Sequence, residues 1–130
     1  MIEHNLKKGY DIKLAGKTKK TLVEAEKPKL FASQPPDFIG LKPRLVIEEG
    51  TEVKIGSPLY YDKQRPEIKF VSPTSGKVVQ INRGERRAIM EVVVESDGQD
   101  STIDFGKHPA DQLSNLSVDE TKKQLLESGL

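Results

Sequence analysis

The sequence predicts a mainly β domain, a flattened barrel of two similar halves followed by a short C-terminal helical segment. Three observations predict it. Residues 45–95 break into strands of about five residues, punctuated by Gly and Pro. Ile47, Gly50, Val53, Gly56 and Leu59 recur every three residues. Short strands joined by Gly turns satisfy that spacing. A helix does not, because two glycines and Pro58 would destabilise it by several kcal/mol. Finally, "VIEEGTEVKIG" and "SGKVVQINRG" echo each other on either side of a central hairpin, as two similar half-barrels would.

The elements follow in order. Residues 1–36 read as an N-terminal extended segment and loop that pack on the barrel. "LKKGYDIKLAG" (6–16) mixes apolar and basic positions between glycines, and Leu22–Val23 suggests a short strand that Pro28 ends. "ASQPPDFIGLKPR" (32–44) holds three prolines, which cannot donate to a ladder, so it reads as an ordered surface loop. Residues 37–96 form the barrel. "LYYDK" enters a turn at Gln64–Pro66, "EIKFV" alternates as a strand, and Pro73 and Gly76 turn the chain into "KVVQI". "NRGERR" makes a further turn around Gly84, and "AIMEVVVE" closes the series. Gly50, Gly56, Pro73, Gly76 and Gly84 are thus the expected turn residues. Residues 97–130 form a linker and a helix. Pro109 suits a first helical turn. Ser117 and Glu120 have capping-box spacing, Val118, Leu125 and Leu126 share a face, and Gly129 stands where a left-handed C-terminal residue belongs. The stop just after this cap reads as a boundary leading into a larger region.

Composition narrows the function. The 130-residue chain is 35% hydrophobic and lacks Trp, which allows one small aliphatic core. With no Cys, disulfides, iron–sulfur ligation, thiolate zinc sites and cysteine nucleophiles are excluded within this chain. His4 and His108 lie far apart without metal-ligand neighbours, so no metal site is expected. No apolar run reaches the roughly 18 residues that a membrane span needs. The N-terminus lacks a signal-peptide core. Net charge is +1, distributed as +4 over residues 1–29, +3 over 30–90 and −6 over 91–130. Such polarity suits a protein interface better than a nucleic-acid surface.

Few motifs bear on chemistry. "RGERR" places Arg83, Arg86 and Arg87 around Gly84, and guanidinium forks match phosphate well. No P-loop or dinucleotide fingerprint accompanies them, so a partner-binding corner is the expectation. Tyr60, Tyr61 and Phe70 are too few for a base-stacking platform, and no nucleic-acid partner is expected. No catalytic constellation has motif support: GxSxG is absent, and Glu48–Glu49 fall in a predicted turn.

"VIEEGTEVKIGSPL", "DK" at Asp62–Lys63 and "VSPTSGKVV" together resemble lipoyl and biotinyl carrier domains, also called barrel-sandwich hybrids. There a lysine at the central hairpin tip bears the cofactor, and Lys63 takes that place here. The interval from Lys63 to Pro73 is about two residues longer than usual in those domains, with Gln64, Arg65 and Pro66 expected to swell the tip. The biotinyl Met-Lys-Met tripeptide is missing.

One resemblance covers the chain. "LKKGYDIKLAG" (6–16), the segment from Asp37 to Glu95, and "LSVDETKKQLLESGL" (116–130) are similar, in order and spacing, to the N-terminal part of the A subunit of the bacterial sodium-translocating NADH:quinone oxidoreductase. The resemblance implies a peripheral subunit on the cytoplasmic side of the inner membrane, other subunits of the membrane complex as partners, and NAD and quinone as reactants of the whole complex. Quinone is an implied ligand only of the full-length subunit, and no quinone or redox residue carries over to a position here. This part is expected to bind no cofactor and to act as a structural and docking module. The alternatives are a carrier domain modified at Lys63 and a stand-alone protein-binding β module.

Overall fold

The computed structural model describes residues 8–9, 12–106, 108–109 and 116–130. Among them are seven strands, β1 (Leu30–Ser33), β2 (Pro43–Leu45), β3 (Glu52–Val53), β4 (Pro58–Asp62), β5 (Arg65–Val71), β6 (Gly76–Arg83) and β7 (Ile89–Ser96), and one helix, α1 (Val118–Ser128). The strands make two antiparallel sheets, ordered β1-β7-β6-β3 and β2-β4-β5. Buried Val53, Val78, Val92 and Val94 of the first sheet meet Leu59 and Tyr60 of the second, which closes the flattened barrel the sequence predicts. Burying one such aliphatic side chain stabilises by roughly 1.5–3 kcal/mol, so these few side chains hold the two sheets together.

Tyr60 ties the sheets in a second way. Its ring is fully buried and stacks on Phe70 at 4.9 Å, and Phe38 meets Phe70 edge-on at 4.7 Å. Its hydroxyl hydrogen-bonds the Ser33 hydroxyl on β1 at 2.7 Å, so the buried oxygen has a partner in the opposite sheet. Burial holds this phenol above its ordinary pKa.

β6 and β7 are the longest pair, in register from Gly76↔Ser96 to Arg83↔Ile89. Strict alternation would place Val78 and Ile81 on opposite faces. A register shift between Val78 and Gln80 leaves Val79 in solvent, and Ile81 rejoins the core side. At the start of β6, Gly76 has φ +145°, and a Cβ there would collide with the Glu95 carbonyl oxygen. Only glycine allows this approach. Beside it, the Ser75 hydroxyl donates to Asp97 Oδ1 at 2.6 Å and accepts from the Ser101 N–H at 3.1 Å. The first of these bonds holds the Asp97 carboxyl below the usual aspartate range. Residues 101–103 then run along Ile55, with Ile55 N–H donating to Ser101 O and Ile103 N–H to Ile55 O, both at 2.9 Å.

Several sequence expectations need correction. Leu22 and Val23 form no strand and are exposed, because two adjacent apolar residues face opposite ways and no neighbouring described strand offers a ladder. The stretch read as a proline loop contains the end of β1, a 3-10 turn at Pro35–Asp37 and the start of β2; its prolines occupy turn and edge positions. The tip of the β4–β5 hairpin is Lys63–Gln64 alone. Arg65 and Pro66 belong to β5, and the extra length is taken up by a register shift, Tyr61 facing Lys69 while Asp62 faces Arg65. The helical turn expected after Pro109 falls on residues 110–115, outside the described residues. In α1 the capping box forms, with Glu120 N–H donating to Ser117 Oγ and Ser117 N–H to Glu120 Oε2. Gly129 (φ 82°) ends the helix. The helix lies on β5 with Leu126 half-buried, whereas Val118 and Leu125 are exposed rather than part of a buried face.

Gly76→Ala is expected to destabilise the domain by about 3–5 kcal/mol, because the clash is with backbone and cannot relax. Gly98→Ala, with φ +69° and nothing within 4 Å of the new Cβ, is expected to cost only about 1–2 kcal/mol. Urea unfolding of the two variants checks the contrast; equal losses would contradict it.

Candidate functional site

The hairpins β4–β5 and β6–β7 both end at one edge of the barrel. The loop between the first 3-10 turn and β2 lies between them, and the three enclose an open cleft of about 630 Å³. Five cations border it: Lys42 and Arg44 from the loop and β2, Lys63 from the first tip, Arg83 and Arg87 from the second. Among the described residues no Asp or Glu lines it. Its floor is apolar, made chiefly by Phe38, Leu41, Ile89 and Met90. Phe38 and Met90 remain nearly half exposed.

Local structure places each cation. The Asp62 carboxylate, buried at the end of β4, accepts from the Gln64 N–H at 3.1 Å, which closes the two-residue tip. The Lys63 N–H donates to Lys42 O at 2.9 Å and sews that tip to the loop. The β6–β7 tip is tighter than the sequence suggested. Ala88 N–H donates to Glu85 O at 3.0 Å, and the two residues between, Arg86 and Arg87, have φ 52° and 62°. Positive φ at both central positions is the geometry of a type I′ hairpin turn, which normally takes Asn-Gly. Gly84, expected to make this turn, is instead extended (φ −95°). A Cβ there would meet Met90 Sδ at 2.9 Å, a contact that a shift of the flexible Met90 side chain would relieve.

Two consecutive arginines in the left-handed region cost roughly 1–2 kcal/mol each. Backbone strain of this kind concentrates at functional positions. The only ion pair among the described residues is Lys123–Glu127, so none of the cleft cations is neutralised by a neighbouring described carboxylate within salt-bridge distance. Glu91, adjacent to Met90, is engaged elsewhere: it accepts from the Asn82 and Gln34 side-chain amides, which hold its carboxyl below the usual glutamate range.

The structure thus brings Lys63, Arg83 and Arg87 to one cleft, whereas Arg86 is not part of its lining. Sequence reading missed Lys42, Arg44 and the apolar floor. Their one sequence signal was "DFIGLKPR", an apolar-basic run between turn residues. Among the described residues no cluster of three or more His, Asp or Glu could hold a metal ion, and no helix is long and apolar enough to cross a membrane.

Replacing the turn by its preferred residues, Arg86→Asn with Arg87→Gly, is expected to raise stability by about 1 kcal/mol, seen as a higher urea midpoint with an unchanged slope. A lower midpoint would show that the arginine backbone is not strained.

Comparison with known proteins agrees with the barrel. The family described as the NqrA N-terminal barrel-sandwich hybrid domain matches residues 4–97. Three relatives bear names that make each the A subunit of a Na(+)-translocating NADH-quinone reductase. The one from Alcanivorax borkumensis is 36% identical over 95% of the chain, and the one from Yersinia pseudotuberculosis serotype O:1b is 38% identical over 96%. The one from Pseudomonas aeruginosa is 35% identical over 96%. The chain spans 28% of the length of each of these curated relatives. By the extent of that match, the chain belongs to the NqrA N-terminal barrel-sandwich hybrid domain family, found in the A subunit of Na(+)-translocating NADH-quinone reductases.

Proposed function

We propose that this barrel is a docking module of a Na⁺-translocating NADH:quinone reductase, the N-terminal domain of its peripheral NqrA subunit, on the cytoplasmic side of the inner membrane. It would hold NqrA against other parts of the complex, and so support electron transfer from NADH to quinone coupled to Na⁺ export, without carrying that chemistry itself. The observation that carries this reading is the cleft: five cations with no described lining carboxylate, two of them, Arg83 and Arg87, on a hairpin whose tip is strained. Like charges gathered on one edge repel one another in the free domain and gain an attractive counterpart only on binding. Interfaces are also enriched in Arg and Met, both present here.

A second reading, a carrier domain modified at Lys63, is favoured by the position of that lysine at an exposed hairpin tip. Against it, the tip backbone is tied to Lys42 and the side chain borders the cleft.

Charge reversal at Arg83, Arg86 and Arg87 (each →Glu) is expected to leave the unfolding free energy from urea titration within about 0.5 kcal/mol of the parent. The same change should weaken association of NqrA with the complex about tenfold or more, read by co-purification and quinone reductase activity. Normal assembly and normal activity would overturn the docking role. Intact mass of the chain from a host with active lipoylation and biotinylation separates the second reading, which requires an adduct on Lys63; docking predicts the unmodified mass.

A further inference from the structure

We infer that the cleft between the two hairpin tips binds an extended acidic polypeptide segment of another subunit, anchored by one aromatic or aliphatic side chain. This rests on the docking role proposed above and adds the chemistry of the partner.

The charge pattern selects an acidic occupant. Lys42, Arg44, Lys63, Arg83 and Arg87 come from three separate stretches of chain that border the cleft. Distributed cations fit a row of carboxylates spaced along a chain. Tight binding of one phosphate would instead call for donors converging on a point, as in phosphate-binding loops.

The floor selects an apolar anchor. Phe38 is 47% exposed and Met90 43% exposed, with Leu41 and Ile89 beneath them. That patch suits an apolar side chain, and desolvated anchors of this kind carry most of the binding free energy at an interface. Next to Phe38 in the chain, Ile39 is fully exposed and offers further apolar area to a covering chain. Met90 adapts readily to whichever side chain enters.

Recognition is through side chains rather than strand addition. β2 is the edge of its sheet and borders the cleft. Lys63 N–H donates to Lys42 O, and Val46 N–H to Leu59 O, so these residues face β4. By alternation Pro43 and Leu45 face outward, and Pro43 has no N–H, so this three-residue edge offers a new strand a single donor, Leu45 N–H.

Two acidic parts of this chain lie away from the cleft. Asp97 is bonded to Ser75 at the far end of β6 and β7, and α1, which carries Asp119, Glu120 and Glu127, lies on β5.

The test places a genetically encoded diazirine amino acid at position 90 of full-length NqrA in the purified complex. After irradiation, the adduct is sequenced by mass spectrometry. The expected adduct is a peptide of another subunit with at least two Asp or Glu within a few residues of an aromatic or aliphatic side chain. A synthetic peptide of that sequence should bind the 130-residue chain by fluorescence anisotropy. Binding should weaken about tenfold with Arg83→Glu/Arg87→Glu, and about tenfold when the peptide's acids are replaced by amides. Lys42→Glu, at an exposed position away from the strained turn, should act in the same direction. An adduct on lipid or on a small molecule, on a basic or uncharged peptide, or on no protein overturns the inference. The docking role is judged separately, by assembly of the arginine-reversed protein. Arginine-dependent assembly with a lipid adduct would leave docking standing and remove the acidic segment. An acidic adduct with arginine-independent assembly would do the opposite.

Discussion

The antiparallel pairing of β6 with β7 is the constraint on which the rest of this structure depends. β7 carries β1 on its outer side, β6 carries β3, and the pair supplies three of the six buried core side chains, Val78, Val92 and Val94. Its register is set at one end by Gly76, whose missing Cβ lets the strand approach Glu95. A residue with a side chain there would have to displace backbone, and every pairing along the hairpin would shift with it. The hydrogen bonds of the Ser75 hydroxyl to Asp97 and Ser101 fasten the same end, and the chain after β7 is laid along Ile55 as a consequence.

The other end of this hairpin serves a different purpose. An eight-residue pair is about 25 Å long, so the arginine tip is remote from the glycine that fixes the register. At the first end the residue type is the one the backbone requires. At the second, the backbone favours Asn-Gly and the residues are Arg86 and Arg87. A stable hairpin can tolerate a costly turn because its pairing is secured elsewhere. The free energy given up at the turn is offset by the core, and it delivers guanidiniums to the edge of a cleft already bordered by Lys42, Arg44 and Lys63. The fold class alone says nothing about this, since barrels of the same type host unrelated functions. The functional reading rests on the side chains that the tips present.

Much of the barrel was legible in the sequence because it is written in local patterns. Period-two strands in "EIKFV" and "AIMEVVVE", left-handed glycines at Gly50 and Gly56, and the Ser117/Glu120 box each declare themselves within a few residues. The failures have physical causes. β1 is four residues long and exists because β7 offers it a ladder, which no local signal reports. The bulge at Val79 changes which face Ile81 occupies, and alternation alone cannot reveal that. Gly84 attracted the turn assignment because glycine is the usual left-handed residue, yet its backbone is extended and the left-handed positions fall on Arg86 and Arg87. Of the cleft, Lys63, Arg83 and Arg87 stood out as charges at expected hairpin ends. Lys42, Arg44 and Phe38 did not, because their adjacency to those tips is created by the folding of two hairpins onto one loop.

The central claim is that the barrel engages the rest of its complex through the hairpin-tip edge. Hydrogen exchange of the backbone amides, compared between the free chain and the assembled complex, tests it most directly. The account predicts slower exchange in the complex at residues 83–90 and 41–45, with residues 50–55 and 97–103, at the register-setting end, unchanged. Protection confined to residues 50–55 and 97–103, or no change at the tips, would contradict it.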